Sequence, residues 1–96
     1  MKNSYEDRRE VYEQAIAVYG EEAQLWIVIE EISELQKEIC KYMRGKHDFE
    51  AIADEIADVT IMLEQAQLIF GISKADIDSH MAAKVERLKN RMTPRW

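Results

Sequence analysis

Three glycines, Gly20, Gly45 and Gly71, and a lone proline, Pro94, are the whole backbone punctuation of this 96-residue chain. Between them the sequence runs on for helix-sized lengths. No segment alternates apolar and polar residues between turn signals, as a half-buried strand does. Glycine ends helices because it enters the left-handed region without a steric penalty. The spacing therefore predicts an all-α fold with helices over about residues 4–19, 21–44, 48–70 and 73–92. Ser4 and Asp48 are placed to cap the first and third helices. Ser73 and Asp76 have capping-box spacing at the start of the fourth, with Asp in place of the usual Glu. Short connections predict antiparallel neighbours, hence a four-helix bundle in a single domain.

Helical periodicity gives the second helix an apolar stripe at Leu25, Ile29, Ile32, Leu35 (or Gln36) and Ile39. The third has one at Ile52, Ile56, Val59, Leu63, Ala66 and Phe70. These stripes are the expected bundle core. Residues 25–29, "LWIVI", are apolar on every side of their helix, which predicts burial on every side. A chain of this length buries only about two-thirds of its surface on folding. The second covering surface is therefore expected from another copy, as a homodimer or homotetramer.

The net charge of −6 argues against nucleic acid as the main partner. The charge is uneven. Residues 84–96 carry five basic groups (Lys84, Arg87, Lys89, Arg91, Arg95) and one acid (Glu86), a net +4, against −10 for the rest. The one cysteine, Cys40, excludes an intrachain disulfide, and a buried helical thiol in a reducing, cytoplasmic setting is expected. The polar opening "MKNSYEDRRE" predicts no secretory leader, and the longest apolar run is too short for a membrane span.

Acids interrupt the most hydrophobic helix. In "IEEISEL" (residues 29–35), Glu31 lies at the edge of the core stripe and Glu34 one turn on, ~60° further round. Ile27 falls between them in angle, so the arc is not an ordinary solvated face. On the third helix Glu55 and Asp58 repeat that spacing, with Ala51 and Met62 between them in angle. Antiparallel packing would let the four carboxylates converge. Such a group loses hydration and repels itself unless a cation sits among them. Oxygen-only ligands suit Mg²⁺, with Mn²⁺ as a substitute. Lys84, Arg87 and Arg91 follow an i, i+3, i+7 face on the fourth helix, with Asn90 beside them. Acids for a metal and bases for phosphate suggest phosphoryl chemistry. One ExxE alone is usually a solvated helix face; two matched acid pairs with a basic face downstream are more specific.

The pieces "EEISEL" (30–35), "DEIADV" (54–59) and "KVERLKNR" (84–91) resemble the all-α nucleoside triphosphate pyrophosphohydrolases of the MazG-like superfamily, over roughly residues 20–92. The resemblance implies Mg²⁺-dependent hydrolysis of an NTP or dNTP to a nucleoside monophosphate and pyrophosphate. It implies that Glu31, Glu34, Glu55 and Asp58 are metal ligands and catalytic, one of them or a neighbour activating water. Glu30 matches the doubled acid before the motif, with a less defined role. Lys84, Arg87, Asn90 and Arg91 would hold phosphates. It further implies sites assembled in dimers or tetramers, a minimal core without a regulatory domain, and a place in nucleotide-pool house-cleaning or in a phage's manipulation of those pools. Within the same fold, a phosphoribosyl-ATP or a dUTP/dCTP pyrophosphatase remains open. The alternative from another class is a non-enzymatic helical dimerisation or adaptor module.

Gln24 and Ile27 lie on the Glu31 side of the second helix and would border a base pocket, or simply pack. Trp26 is better suited to a core or dimer contact than to stacking on a base. Tyr42, Lys37, Lys41, Arg44 and Lys46 read as a solvated face, and His47 as a loop residue. Neither His47 nor His80 forms an E-x-x-H pair, which counts against a di-iron carboxylate bundle. Met43, Met62, Met81 and Met92 read as packing residues. Trp96 would anchor the "TPRW" tail on a neighbour.

Overall fold

The computed structural model describes residues 3–93. All regular structure among them is helical: α1 (Tyr5–Tyr19), α2 (Glu21–Met43), α3 (Phe49–Phe70) and α4 (Lys74–Met92). These limits agree with the sequence reading to within a residue at each end, because the caps form as the residue types dictate. The Ser4 hydroxyl accepts from the Asp7 amide, and the Asp7 carboxylate accepts in return from the Ser4 amide. Asp48 accepts from the Ala51 amide at 3.0 Å, and Ser73 from the Asp76 amide at 3.0 Å. Gly71 ends α3 in the left-handed region, at φ 67°.

α2 and α3 form the principal pair, an antiparallel hairpin, and α1 lies across both. An ion pair pins α1 to α3. Arg8 donates through Nε and Nη2 to the two oxygens of Glu64, both at 2.9 Å, and the Tyr12 hydroxyl donates to Glu64 Oε1 at 2.5 Å. α4 leaves this three-helix unit, turned by 117° from α3. Beyond Ile77 every α4 residue described is exposed, including Met81, Val85, Leu88 and Met92. No single helix among the described residues is long and apolar enough to cross a membrane.

The α2–α3 seam is where the structure departs from the expected core. Its half-buried and buried positions run Gln24, Val28, Glu31, Leu35, Glu38 on α2 and Ile52, Glu55, Val59, Met62, Ala66 on α3. That spacing of three and four is the seam of two antiparallel helices. The stripes assigned to the core coincide with it only in part, at Leu35, Ile52, Val59 and Ala66. Ile29, Ile32, Ile39, Ile56, Leu63 and Phe70 are exposed, and the buried residues among those described are Tyr12, Gln24, Met62 and Gln65. Cys40, expected as a buried thiol, is exposed too. It lines a shallow apolar groove with Ile32, Leu35, Gln36 and Ile39. A two-helix seam covers one narrow stripe per helix, so the remaining apolar residues face outward. Trp26, at 61% exposure, belongs to the same outward face rather than to the core of its own chain.

The dimensions agree with this unfinished packing. The radius of gyration is 16.6 Å, against ~12.5 Å for a compact domain of this length. The chain exposes 7723 Å², whereas a folded monomer of 11.3 kDa exposes ~5,700 Å². Pro94, Arg95 and Trp96 lie outside the described residues, and with them the expected anchoring of the tail.

Candidate metal centre

Two turns of helix build the acid cluster. Glu31 is a seam position on α2, and Glu55 and Asp58 sit one turn apart on the facing side of α3. Because the helices run antiparallel, the three meet at mid-hairpin. Each offers a carboxylate oxygen within 4.8 Å of the others, and all three residues are half-buried. Glu34, predicted as the fourth member, is exposed and lies outside this group, although its charge bears on Glu55. Glu30 and Asp54 are exposed on the flanks.

No ion pair among the described residues balances the cluster. The ion pairs among the described residues are Arg8–Glu64, Arg9–Glu13 and Lys41–Glu38, none of which includes it. Burial, and then the charges of Asp58 and Glu55, hold the Glu31 carboxyl above its usual range. Burial and the charges of Asp58, Glu34 and Asp54 do the same to Glu55. Glu55 Oε2 is buried with no hydrogen-bond partner among the described residues. An orphaned, half-desolvated carboxylate oxygen beside two more acids is unfavourable on its own. A hard divalent cation removes both costs, since it satisfies the oxygen and cancels the repulsion. The donor set, all oxygen and no sulfur or imidazole, suits Mg²⁺ or Mn²⁺ rather than a softer metal.

The basic residues are elsewhere. Lys84, Arg87, Asn90 and Arg91 are exposed on the projecting part of α4, and the chain does not bring them to its own acids. Spacing set their common face, but the 117° turn at Gly71 set where that face points. Gln24, at 4% exposure, is buried in the seam two turns before Glu31, and Ile27 is half-buried beside it. Tyr42 stacks on His47 with ring centroids 4.6 Å apart, so both close the α2–α3 loop.

Sequence reasoning missed two features. The first is the network around Glu64. Its arginine and tyrosine partners hold its carboxyl below the usual range, while burial and the Glu64 carboxylate push the Tyr12 hydroxyl up to about 12. Arg8 and Tyr12 are one turn apart on α1, but nothing in the sequence pairs them with an acid more than fifty residues on. The second is Gln65, 6% exposed, whose Oε1 is also buried without a partner among the described residues. A signal for it existed. Gln65 follows Asp58 by seven residues and so shares its stripe on α3.

In comparisons with known proteins, no family model, no curated protein and no solved structure matches the chain.

Proposed function

We propose that this protein is a Mg²⁺-dependent nucleotide pyrophosphohydrolase, converting an NTP or dNTP and water to a nucleoside monophosphate and pyrophosphate as a homo-oligomer. The observation that carries the reading is the Glu55 carboxyl, which has one oxygen within 4.8 Å of carboxylate oxygens of Glu31 and Asp58 and whose Oε2 is buried without a hydrogen-bond partner among the described residues. Those residues fit a hard cation, and the resemblance of "EEISEL" and "DEIADV" to the MazG-like motif supplies the reaction.

Glu31, Glu55 and Asp58 would hold the ion, with Glu34 reaching it after a rotamer change or through water. A Mg²⁺ ion held by these carboxylates would supply neutralisation of phosphate charge and Lewis-acid polarisation. The chain's own contribution is positioning. The rigid α2–α3 seam fixes the carboxylates before substrate arrives, so little reorganisation is needed. One of these carboxylates, or a neighbour, would orient and deprotonate the attacking water.

The phosphate-binding half comes from α4 of a second copy in this reading. Met81, Val85, Leu88 and Met92 form an exposed stripe at i, i+4, i+7 and i+11. Lys84, Arg87 and Arg91 flank it, ~60–120° round the helix. Docking the stripe on the outward apolar face of another chain's hairpin brings the basic flank, with Asn90 at its edge, toward an acidic surface. The excess over a compact monomer is ~2,000 Å² per chain, or ~4,000 Å² for two copies, which is in the range of obligate homodimer interfaces.

The test is pyrophosphate release from a panel of NTPs, dNTPs and phosphoribosyl-ATP, with Mg²⁺ or EDTA. Metal-dependent release, lost in Glu55→Gln and Asp58→Asn, is the expected result. Folded protein that releases nothing and shows no thermal shift with Mg²⁺ would leave the non-enzymatic helical adaptor. The exposed apolar stripe on α4 is the observation that favours that second reading.

A further inference from the structure

The α2–α3 hairpin has two faces, and α1 covers only one of them. Counted from Gln24 at ~100° per residue, Ile27 and Glu34 lie ~60–80° round α2 on one side. Ile29, Ile32 and Ile39 lie ~60–140° round on the other. α3 divides the same way about Glu55, with Asp58, Ile61 and Gln65 on one side and Ile56, Leu63 and Phe70 on the other. Because the helices run antiparallel, the two apolar arcs fall on the same side of the hairpin. α1 lies on the opposite side, where its Val11 and Tyr12 line a cavity with Ile61 and Gln65. The uncovered face is thus one apolar surface built by both helices, and a groove of about 380 Å³ at Ile32, Leu35 and Ile39 runs along its α2 edge.

The acid cluster and this face are geared together. Glu31 is followed by Ile32, and Glu55 by Ile56, each pair ~100° apart on one rigid helix. A turn that carries the acid outward on its own side carries the isoleucine into the seam. In a lone chain without a cation, both costs push toward that turn. Three carboxylates lie within 4.8 Å of one another, and Ile32 and Ile56 stand about half in water. A cation removes the first cost and a covering surface removes the second. Each favours the same rotation, and two ligands that select one state help each other to bind.

The covering surface is a second copy of this chain. Each chain exposes ~2,000 Å² more than a compact monomer of its mass. It also carries the complement: the α4 stripe is apolar with a basic flank, α4 turns 117° away from its own hairpin, and residues 84–96 carry +4 against −10 for the rest.

We propose that divalent-cation binding at Glu31, Glu55 and Asp58 and self-association through the Ile29, Ile32, Ile56 and Leu63 face are coupled, so that Mg²⁺ switches the protein from monomer to oligomer. The inference rests on the metal centre of the pyrophosphohydrolase reading and adds its regulation. With both ligands bound the seam is held from two sides, which is the rigid form that hydrolysis needs.

The experiment is sedimentation velocity of the N-terminally labelled chain over a concentration series, in Mg²⁺ or in EDTA at matched ionic strength. Calorimetric Mg²⁺ titration and the pyrophosphate-release assay run beside it. Mg²⁺ should tighten self-association ~5–150-fold, the usual span of such couplings. Glu55→Gln removes one repelling charge, so in EDTA it should associate at least five-fold more tightly than wild type and respond no further to Mg²⁺. Ile32→Asn with Leu63→Asn alters two exposed positions and adds no charge beside the acids. That variant should stay monomeric and bind Mg²⁺ more weakly, by the factor that Mg²⁺ gives to association in wild type, since coupling is reciprocal. Heat of Mg²⁺ binding with the same association in Mg²⁺ and EDTA overturns the coupling and leaves the metal centre standing. Association tightened by Mg²⁺ without pyrophosphate release upholds the coupling and sinks the hydrolase. No response to Mg²⁺ overturns the proposal, and tighter association of Glu55→Gln would then place the fault with the metal rather than the seam.

Discussion

Replacing Glu64 with alanine removes the acceptor for three hydrogen bonds that dock α1 on α3. A hydrogen bond to a charged group contributes ~1.5–3 kcal/mol in folded proteins. The two arginine bonds are discounted, because the pair is only part-buried, at 26% and 16% side-chain exposure, and water screens it. The tyrosine bond counts nearly in full, since Tyr12 is buried at 4% exposure and its hydroxyl would lose the partner it has. The expected loss is ~2 kcal/mol, and at ~4–8 °C per kcal/mol for a domain of this size the Tm should fall ~8–16 °C. Thermal unfolding by circular dichroism measures it, and acid titration checks the cause. Folding lowers the Glu64 carboxyl below 4.5, so its stabilisation is full above that pH and is lost as pH falls through the folded value. Wild-type and variant melting curves should therefore converge in acid. The shift caused by Mg²⁺ should be the same in both, because Glu64 faces α1 and not the seam. A loss no larger than the ~0.5 kcal/mol of an ordinary surface change, at every pH, would refute the reasoning.

Four further outcomes follow from the seam and from α4. Mg²⁺ at a hundred times its Kd should stabilise wild type by ~2.7 kcal/mol, and Asp58→Asn should abolish that shift in a calorimetric scan. In EDTA the same variant should melt higher than wild type, since it removes one of three acids packed within 4.8 Å; a lower melting point would show that the cluster is not strained. Folding raises the Glu31 and Glu55 carboxyls above 4.5, so metal-free stability should fall as pH rises through their folded values, and saturating Mg²⁺ should flatten that dependence; a flat metal-free profile would refute it. Met81→Glu with Leu88→Glu should convert the oligomer to monomer in sedimentation velocity, and an unchanged mass would place the interface elsewhere.

The sequence by itself determined the helices and the acid pairs. Helix limits were legible because capping and termination are local: Ser4, Asp48, Ser73 and the glycines act within a turn of where they stand. Glu55 and Asp58 were legible as a pair because residues three apart on a helix must share a face. What the tertiary structure decided is which face of each helix turns inward. Periodicity locates an apolar stripe but not the neighbour that covers it. The seam took Gln24, Glu31 and Met62 and left Ile29, Ile32 and Ile56 outside. Glu34 fell just beyond the cluster for the same reason, since a few tens of degrees of helix rotation separate a seam position from a solvated one. Gln65 and the Arg8–Glu64–Tyr12 network depend on α1 lying across α3, a contact between residues far apart in the chain. The direction of α4 was set at the break over residues 71–73, where Gly71 is left-handed and Ser73 extended, and with it the distance between the basic residues and the acids of their own chain. Local rules govern groups within a turn of one another; which distant groups meet is a matter of packing, and only the folded molecule settles it.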